Sequence, residues 1–179
     1  MIVNHPEILS SNDLNIVEST KDNIPSFIGF FIADKEGKAL LSFEIFKNAL
    51  EFYLKKHVSD ESDDNFNLDL IPMSNSTLEI FSEQMNFREL SGLNLLGTGL
   101  KMRSFFCFKQ FTVTFLMNLR ITVKYFEKPI KEFLKKFFKE NEDIFQDFYA
   151  KCSTEDLTHM QLTGSLWLNK MNKLLQLRV

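Results

Sequence analysis

The spacing of hydrophobic and polar positions is typical of strands in the first part of the chain. Residues 27–33 form a short apolar and aromatic run, and residues 39–46 continue it after a polar turn. In the second run, apolar and polar residues alternate from position 41 onwards. The turn contains Gly37, which can adopt a positive φ angle. Together these features predict a β-hairpin.

Further strands are predicted between residues 91 and 117. The runs 100–108 and 111–117 predict antiparallel neighbours, because only Lys109 and Gln110 separate them. A glycine-rich stretch, 91–99, precedes them. Two or three strands are therefore predicted in this part of the chain. Residues 47–56 fit either an extension of the hairpin or a turn of helix.

Three other segments have the spacing of helices. Ser76 and Glu79 fit a capping box, which predicts a helix of about twelve residues in which apolar residues follow at helical spacing. A long amphipathic pattern predicts a second helix over 128–149, because Pro129 is tolerated only near a first turn. Ser153 and the acidic residues after it predict the start of a final helix.

The order of these elements predicts an α+β fold. We expect an antiparallel sheet of about five strands, with one helix on one face and two C-terminal helices on the other. Residues 1–24 are a polar segment that is loose or forms a short helix, and residues 25–179 form one domain with an acidic loop at 57–69. Because this loop lacks the spacing and the glycine of an EF-hand, it is interpreted as a solvated loop.

Composition and charge exclude several classes of protein. Hydrophobic residues make up 44% of the chain and charged residues 25%, as in an ordinary globular domain. The net charge of -3 gives no overall electrostatic footprint for nucleic acid. The N-terminus lacks the regions of a signal peptide, and the longest nearly uncharged stretch, 111–119, is shorter than the about twenty residues of a membrane span. We therefore expect a soluble, cytoplasmic protein.

Signatures of catalysis are missing from the sequence. Gly97-Thr98-Gly99 is followed neither by the Lys-Ser/Thr of a phosphate-binding loop nor by the third glycine of a dinucleotide fingerprint. Cys152 and His159 are two helical turns apart, but Cys152 precedes the predicted cap and should not share a helical face with His159. We expect no catalytic residues, no cofactor and no metal, and a protein that is not an enzyme.

One charge pattern is a candidate interaction surface. Between residues 120 and 140 there are seven basic residues against three acidic ones. Five lysines recur there at helical spacing: Lys124, Lys128, Lys131, Lys135 and Lys139. They form either the solvated face of a packed helix or a docking surface for an acidic partner or an anionic membrane, to which each basic residue near the surface adds about 1 kcal/mol.

Three segments resemble a known family. Residues 28–42, with the sequence Ile-Gly-Phe-Phe-Ile-Ala-Asp-Lys-Glu-Gly-Lys-Ala-Leu-Leu-Ser, resemble the opening hairpin of longin and roadblock domains. Residues 76–84 look like the first helix of these proteins, and residues 92–97 like the segment that leads back into the sheet. The resemblance spans residues 25–175 and is strongest to the divergent longin-like proteins of archaea that also carry many small GTPases. Two closing helices favour longin over roadblock.

The resemblance implies a non-catalytic module with a profilin-like α-β-α fold. Such modules bind small GTPases, coiled-coil fusion proteins or further copies of themselves. We therefore expect a role in small-GTPase regulation or as a membrane-trafficking adaptor, with recognition by the sheet edge, the helix at 76–85 and the five lysines. The expected partner is a small GTPase, a longin- or roadblock-type chain or a second copy in a homodimer, and peripheral contact with a membrane is compatible with the lysines.

The alternative is a sensor domain of PAS or profilin-like architecture whose phenylalanine-rich core encloses a small apolar ligand. An apolar cavity of a few hundred Å³ would favour the sensor. A solidly packed interior with an exposed apolar patch would favour the interaction module.

Overall fold

An antiparallel sheet forms the middle of the molecule. The computed structural model describes residues 24–58, 68–85, 92–96, 99–108 and 110–176. Its strands are β1 (Phe27–Asp34), β2 (Ala39–Glu44), β3 (Gly92–Leu96), β4 (Leu100–Phe108) and β5 (Phe111–Asn118). They lie in the order β2-β1-β5-β4-β3, and each neighbouring pair is antiparallel.

The predicted hairpin is confirmed by the pairing of β1 with β2. Its turn is closed by Asp34, whose Oδ1 accepts a hydrogen bond from the backbone N–H of Lys38 at 2.8 Å. Gly37 has φ 80°, the left-handed conformation that a turn of this kind requires. The strands predicted at 100–108 and 111–117 are also present, and β3 adds the further strand.

Helices cover both faces of this sheet. They are α1 (Ala49–Val58), α2 (Leu70–Gln84), α3 (Val123–Glu140), α4 (Glu142–Gln146), α5 (Phe148–Lys151) and α6 (Thr154–Gln176). The hydrophobic contacts of α1 and α2 lie on one face of the sheet, and those of α3, α4 and α6 lie on the other. The predicted α+β fold is confirmed, and the ambiguous stretch 47–56 contributes the extra helix α1.

Aromatic side chains fill the core on the face covered by the C-terminal helices. The ring of Phe30 stacks between Phe43 and Phe115, at centroid distances of 4.3 and 4.7 Å. Phe133 of α3 stacks on Trp167 of α6 at 4.4 Å and joins the two helices. In the described residues, nine of the chain's twenty phenylalanines are buried in the core on the two faces of the sheet.

Two predicted helix starts are wrong by several residues. Helix α2 begins at Leu70, so Ser76 and Glu79 lie inside it and do not form a capping box. Helix α3 begins at Val123, which places Pro129 within the helix. Proline lacks an N–H group and leaves one backbone carbonyl of the preceding turn unpaired, but burial of the apolar face of α3 offsets this local cost.

The predicted start of the last helix is confirmed. The backbone N–H of Asp156 donates to Ser153 Oγ at 3.1 Å, and the backbone N–H of Ser153 donates to Asp156 Oδ2 at 3.0 Å. This reciprocal pair satisfies donors that a helix N-terminus otherwise leaves unpaired.

Parts of the predicted N-terminal segment and acidic loop lie outside the described residues. These are residues 1–23 and the stretch 59–67, which holds most of the loop's carboxylates. Residues 57–58, which we expected in the loop, are the end of α1. Among the helices that the structure describes, none is long and apolar enough to cross a membrane.

Candidate interaction surface

The outer face of α2 is apolar, and the exposed Glu83 flanks it beside Ile80. Six large hydrophobic side chains on it are between 41% and 57% exposed: Leu70, Met73, Leu78, Ile80, Phe81 and Met85. The other residues on this side of the helix are Ser74, Thr77 and Gln84. A surface helix normally turns its apolar side to the core. Helix α2 instead turns its apolar side to solvent.

The inner face of α2 is attached to the sheet by polar contacts. Asn75, only 1% exposed, donates from Nδ2 to Ser104 Oγ of β4 and to Thr114 Oγ1 of β5, both at 3.0 Å. Ser76 Oγ donates to the backbone carbonyl of Lys35 in the β1–β2 turn. These polar contacts replace the hydrophobic contacts that usually hold a helix on a sheet, and Asn75 Oδ1 is buried beside them without a hydrogen-bond partner.

A carboxylate takes part in the same attachment. Thr112 Oγ1 of β5 donates to Glu79 Oε2 at 3.2 Å. Burial raises the pKa of the Glu79 carboxyl, and the hydrogen bond from Thr112 and the charge of Lys35 act in the opposite direction. The Glu79 carboxylate therefore helps to attach α2 to the sheet through its hydrogen bond from Thr112.

Strand β3 provides an apolar sheet edge on the same side as α2. It is the terminal strand of the sheet, and its sequence Gly-Leu-Asn-Leu-Leu contains neither charge nor proline. Leu93 is paired with Ser104 and Leu95 with Met102. Because directly paired residues point to the same face, Leu93 and Leu95 lie on the α2 side of the sheet. Edge strands usually carry charges or proline that prevent pairing with another chain.

We call the outer face of α2 together with β3 the α2–β3 surface. The sequence predicted recognition by the helix at 76–85 and by a sheet edge, and the structure shows that both are exposed here. Helical spacing identified Leu78, Phe81 and Met85, but not the direction in which they face. Leu96, also at this sheet edge, is 73% exposed, but it is paired with Lys101 and so points to the opposite face from Leu95; its exposure had no signal in the sequence.

The five lysines lie on the exposed or half-buried side of α3. Lys131 Nζ is 2.7 Å from Glu127 Oε1, and Lys128 Nζ is 3.9 Å from Glu132 Oε1. The other three, Lys124, Lys135 and Lys139, make no ion pair among the residues that the structure describes. The lysines and the α2–β3 surface are on opposite faces of the sheet.

The chain has been compared with known proteins. No protein-family model matches it, and a search of curated proteins finds no match. Among solved structures it is similar to MglB of Myxococcus xanthus, with 13% identity over 75% of this chain and 99% of that chain and a TM-score of 0.47.

Two further structures show the same kind of similarity. The gliding protein MglB of Thermus thermophilus has 8% identity over 70% of this chain and 87% of its own, with a TM-score of 0.42. A Roadblock/LC7 domain from Streptomyces avermitilis has 5% identity over 89% and 93%, with a TM-score of 0.39.

Two clefts flank the β1–β2 turn and include Lys35 and Glu36 in their walls. One, of about 420 Å³, lies against residues 145–149, and the other, of about 330 Å³, lies beside α2. Both are open, and charged side chains contribute to their linings. Neither is the enclosed apolar cavity that a sensor of a small apolar ligand needs.

The residues considered for catalysis are not assembled into a site in the described part of the chain. Burial and the nearby Asp156 raise the pKa of the Cys152 thiol, which disfavours the thiolate that a nucleophile requires. His159 is exposed on α6. No group of three or more histidine, cysteine or acidic residues there is arranged to hold a metal ion.

Proposed function

We propose that the protein is a non-catalytic interaction module that regulates a small GTPase or serves as a trafficking adaptor. The observation that supports this most directly is the outward-facing apolar side of α2. The resemblance to longin and roadblock domains supplies the class of partner. The α2–β3 surface is the proposed contact between two copies of the chain, which together bind the GTPase.

The physical reason is the apolar area that α2 leaves in water. Phe81 and Met85 are 54% and 57% exposed, and covering such groups stabilises a complex by about 25 cal/mol for each Å² removed from water. Large contiguous apolar patches are rare on monomeric proteins and mark interaction sites. The open, charged clefts give the sensor alternative no comparable support.

The proposed occupant of the α2–β3 surface is a second copy of this chain. An edge strand without charge can pair with its own counterpart across a two-fold axis and extend the sheet. The exposed side of α2 and the side chains Leu93 and Leu95 lie on one side of that edge, so strand pairing would bring two apolar surfaces together. The resulting dimer is the proposed GTPase-binding unit.

Substitution of two exposed side chains tests the dimer. In F81D/M85D, each carboxylate would be buried without a partner, at a cost of several kcal/mol. We expect the dimer dissociation constant to rise at least about 100-fold, measured by size exclusion with light scattering. The matched control is L162D/L166D, whose side chains on α6 are 57% and 61% exposed on the other face of the sheet. An unchanged F81D/M85D dimer would place the interface elsewhere.

A pull-down tests the GTPase role separately. The full chain is used as bait in host lysate with a non-hydrolysable GTP analogue or with GDP, and retained proteins are identified by mass spectrometry. We expect one small GTPase in one nucleotide state, with loss of binding in F81D/M85D. Absence of any GTPase in both states would end the regulator proposal even if the dimer forms.

A further inference from the structure

We propose that the outer face of α3 docks the protein on a membrane surface that contains anionic phospholipids. This goes beyond the proposed interaction with a GTPase and uses the opposite face of the sheet. The inference rests on the five lysines of α3 and on the residues at the start of that helix.

The geometry of α3 gathers the lysines into one strip. At about 100° per residue, the five side chains fall within an arc of about 80° on a helix that is about 27 Å long. Ile130, Leu134 and Phe137 are buried on the other side of α3. The strip is thus a row of charges along one side of a helix whose other side is held by the core.

Most of this charge is available to a ligand. The pair of Lys128 with Glu132 is long and strongly exposed, with side chains 86% and 66% accessible, and such surface pairs contribute little. Neither described cleft includes any residue of α3 in its walls. A flat row of cations without a pocket matches a flat, polyanionic surface better than a small anion.

Exposed apolar groups adjoin the basic strip. Tyr125, in the first turn of α3, is 75% exposed, and Leu119, just before the helix, is 38% exposed. Arg120 lies between them in the sequence and is also exposed. Aromatic side chains favour the boundary between water and lipid, and helices that lie on membranes combine them with lysine or arginine. This combination favours a lipid surface over an acidic protein.

Two lysine triplets provide a matched test by vesicle sedimentation. Vesicles of phosphatidylcholine, with or without phosphatidylserine, are mixed with the wild type, with K124Q/K135Q/K139Q and with K47Q/K55Q/K56Q. The second triplet removes the same charge from the α1 side of the sheet. Since each lysine near an anionic surface contributes about fivefold, we expect the first triplet to lower the partition coefficient about 100-fold and the second to change it less than about twofold.

Three results would overturn the proposal. The first is that the wild type does not partition into anionic vesicles. The second is that both triplets lower the partition coefficient equally. The third is that the basic strip retains an acidic protein while the chain binds no vesicles. Circular dichroism establishes first that each variant is folded.

Fluorescence quenching tests the orientation independently. Y125W reports from the start of α3, whereas F52W reports from α1 on the other face of the sheet. With brominated anionic lipids, we expect extra quenching in Y125W over the native Trp167 background and none in F52W. Quenching of F52W alone would reverse the orientation and contradict the proposal.

Discussion

Close contacts between single residues determine how α6 lies against the sheet. A Cβ atom added to Gly164 would lie 2.2 Å from Cδ1 of Phe43, which is far inside a normal contact distance. Phe43 is 1% exposed and stacked on Phe30, so its ring has no free space to move into. Within a helical pattern a glycine ordinarily costs stability relative to alanine. At position 164, the absence of a side chain lets α6 pack closely against Phe43 of β2.

Gly164→Ala should therefore destabilise the protein, although it improves helix propensity. We expect the free energy of unfolding to fall by about 2 kcal/mol, because overpacking a rigid core forces side chains or backbone to shift. Urea denaturation of G164A, F43L and the double variant measures this. The double variant should lose less than the sum of the single losses, because leucine leaves room for the new methyl group. Additive losses would contradict a direct contact.

At the scale of elements, α2 shows that helical spacing of apolar residues does not determine which side of the helix is buried. The sequence predicts a helix near residues 76–85, and the structure extends it back to Leu70. Its inner side is polar because Ser104, Thr112 and Thr114 on β4 and β5 offer hydroxyl partners there. These partners come from strands 29 to 39 residues later in the sequence, so no local pattern could reveal that α2 faces its apolar side outward.

Asn75→Ala tests this polar attachment. Removal of the amide takes one hydrogen bond from each of the buried hydroxyls of Ser104 and Thr114, which keep only their contact with each other at 2.9 Å. A lost buried hydrogen bond costs about 1–3 kcal/mol. We expect faster amide hydrogen exchange in α2, with α6 protected as before. Ser74→Ala, at an exposed position of the same helix, is the control and should leave exchange unchanged. Equal exchange in both variants would show that Asn75 does not hold α2.

At the scale of the whole molecule, the sheet separates two surfaces. The α2–β3 surface lies on one face, and the lysines of α3 lie on the other. The last helix is joined to the first strand by Asn172, which accepts from the backbone N–H of Phe27 at 2.8 Å and donates to its carbonyl at 2.7 Å. Contacts of this kind hold the sheet and its C-terminal helices in one arrangement.

The two surfaces should act independently of one another. We expect K124Q/K135Q/K139Q to dimerise like the wild type, because none of these lysines lies on the α2 face of the sheet. Light scattering over a concentration series measures the dissociation constant. A change of more than about threefold would mean that the surfaces are coupled through the core, since residues in separate locations usually contribute additively.

The sequence by itself determined the elements whose signals are local. The hairpin around Gly37, the strands at 100–108 and 111–117, and the Ser153–Asp156 cap all depend on residues within a few positions of one another. The α+β fold class followed from their order. The tertiary structure decided the direction of α2, the place of β3 at an edge and the tolerance of Pro129 inside α3. Each of these depends on which distant residues a segment meets, and hydrophobic burial outweighs local propensity wherever the two disagree.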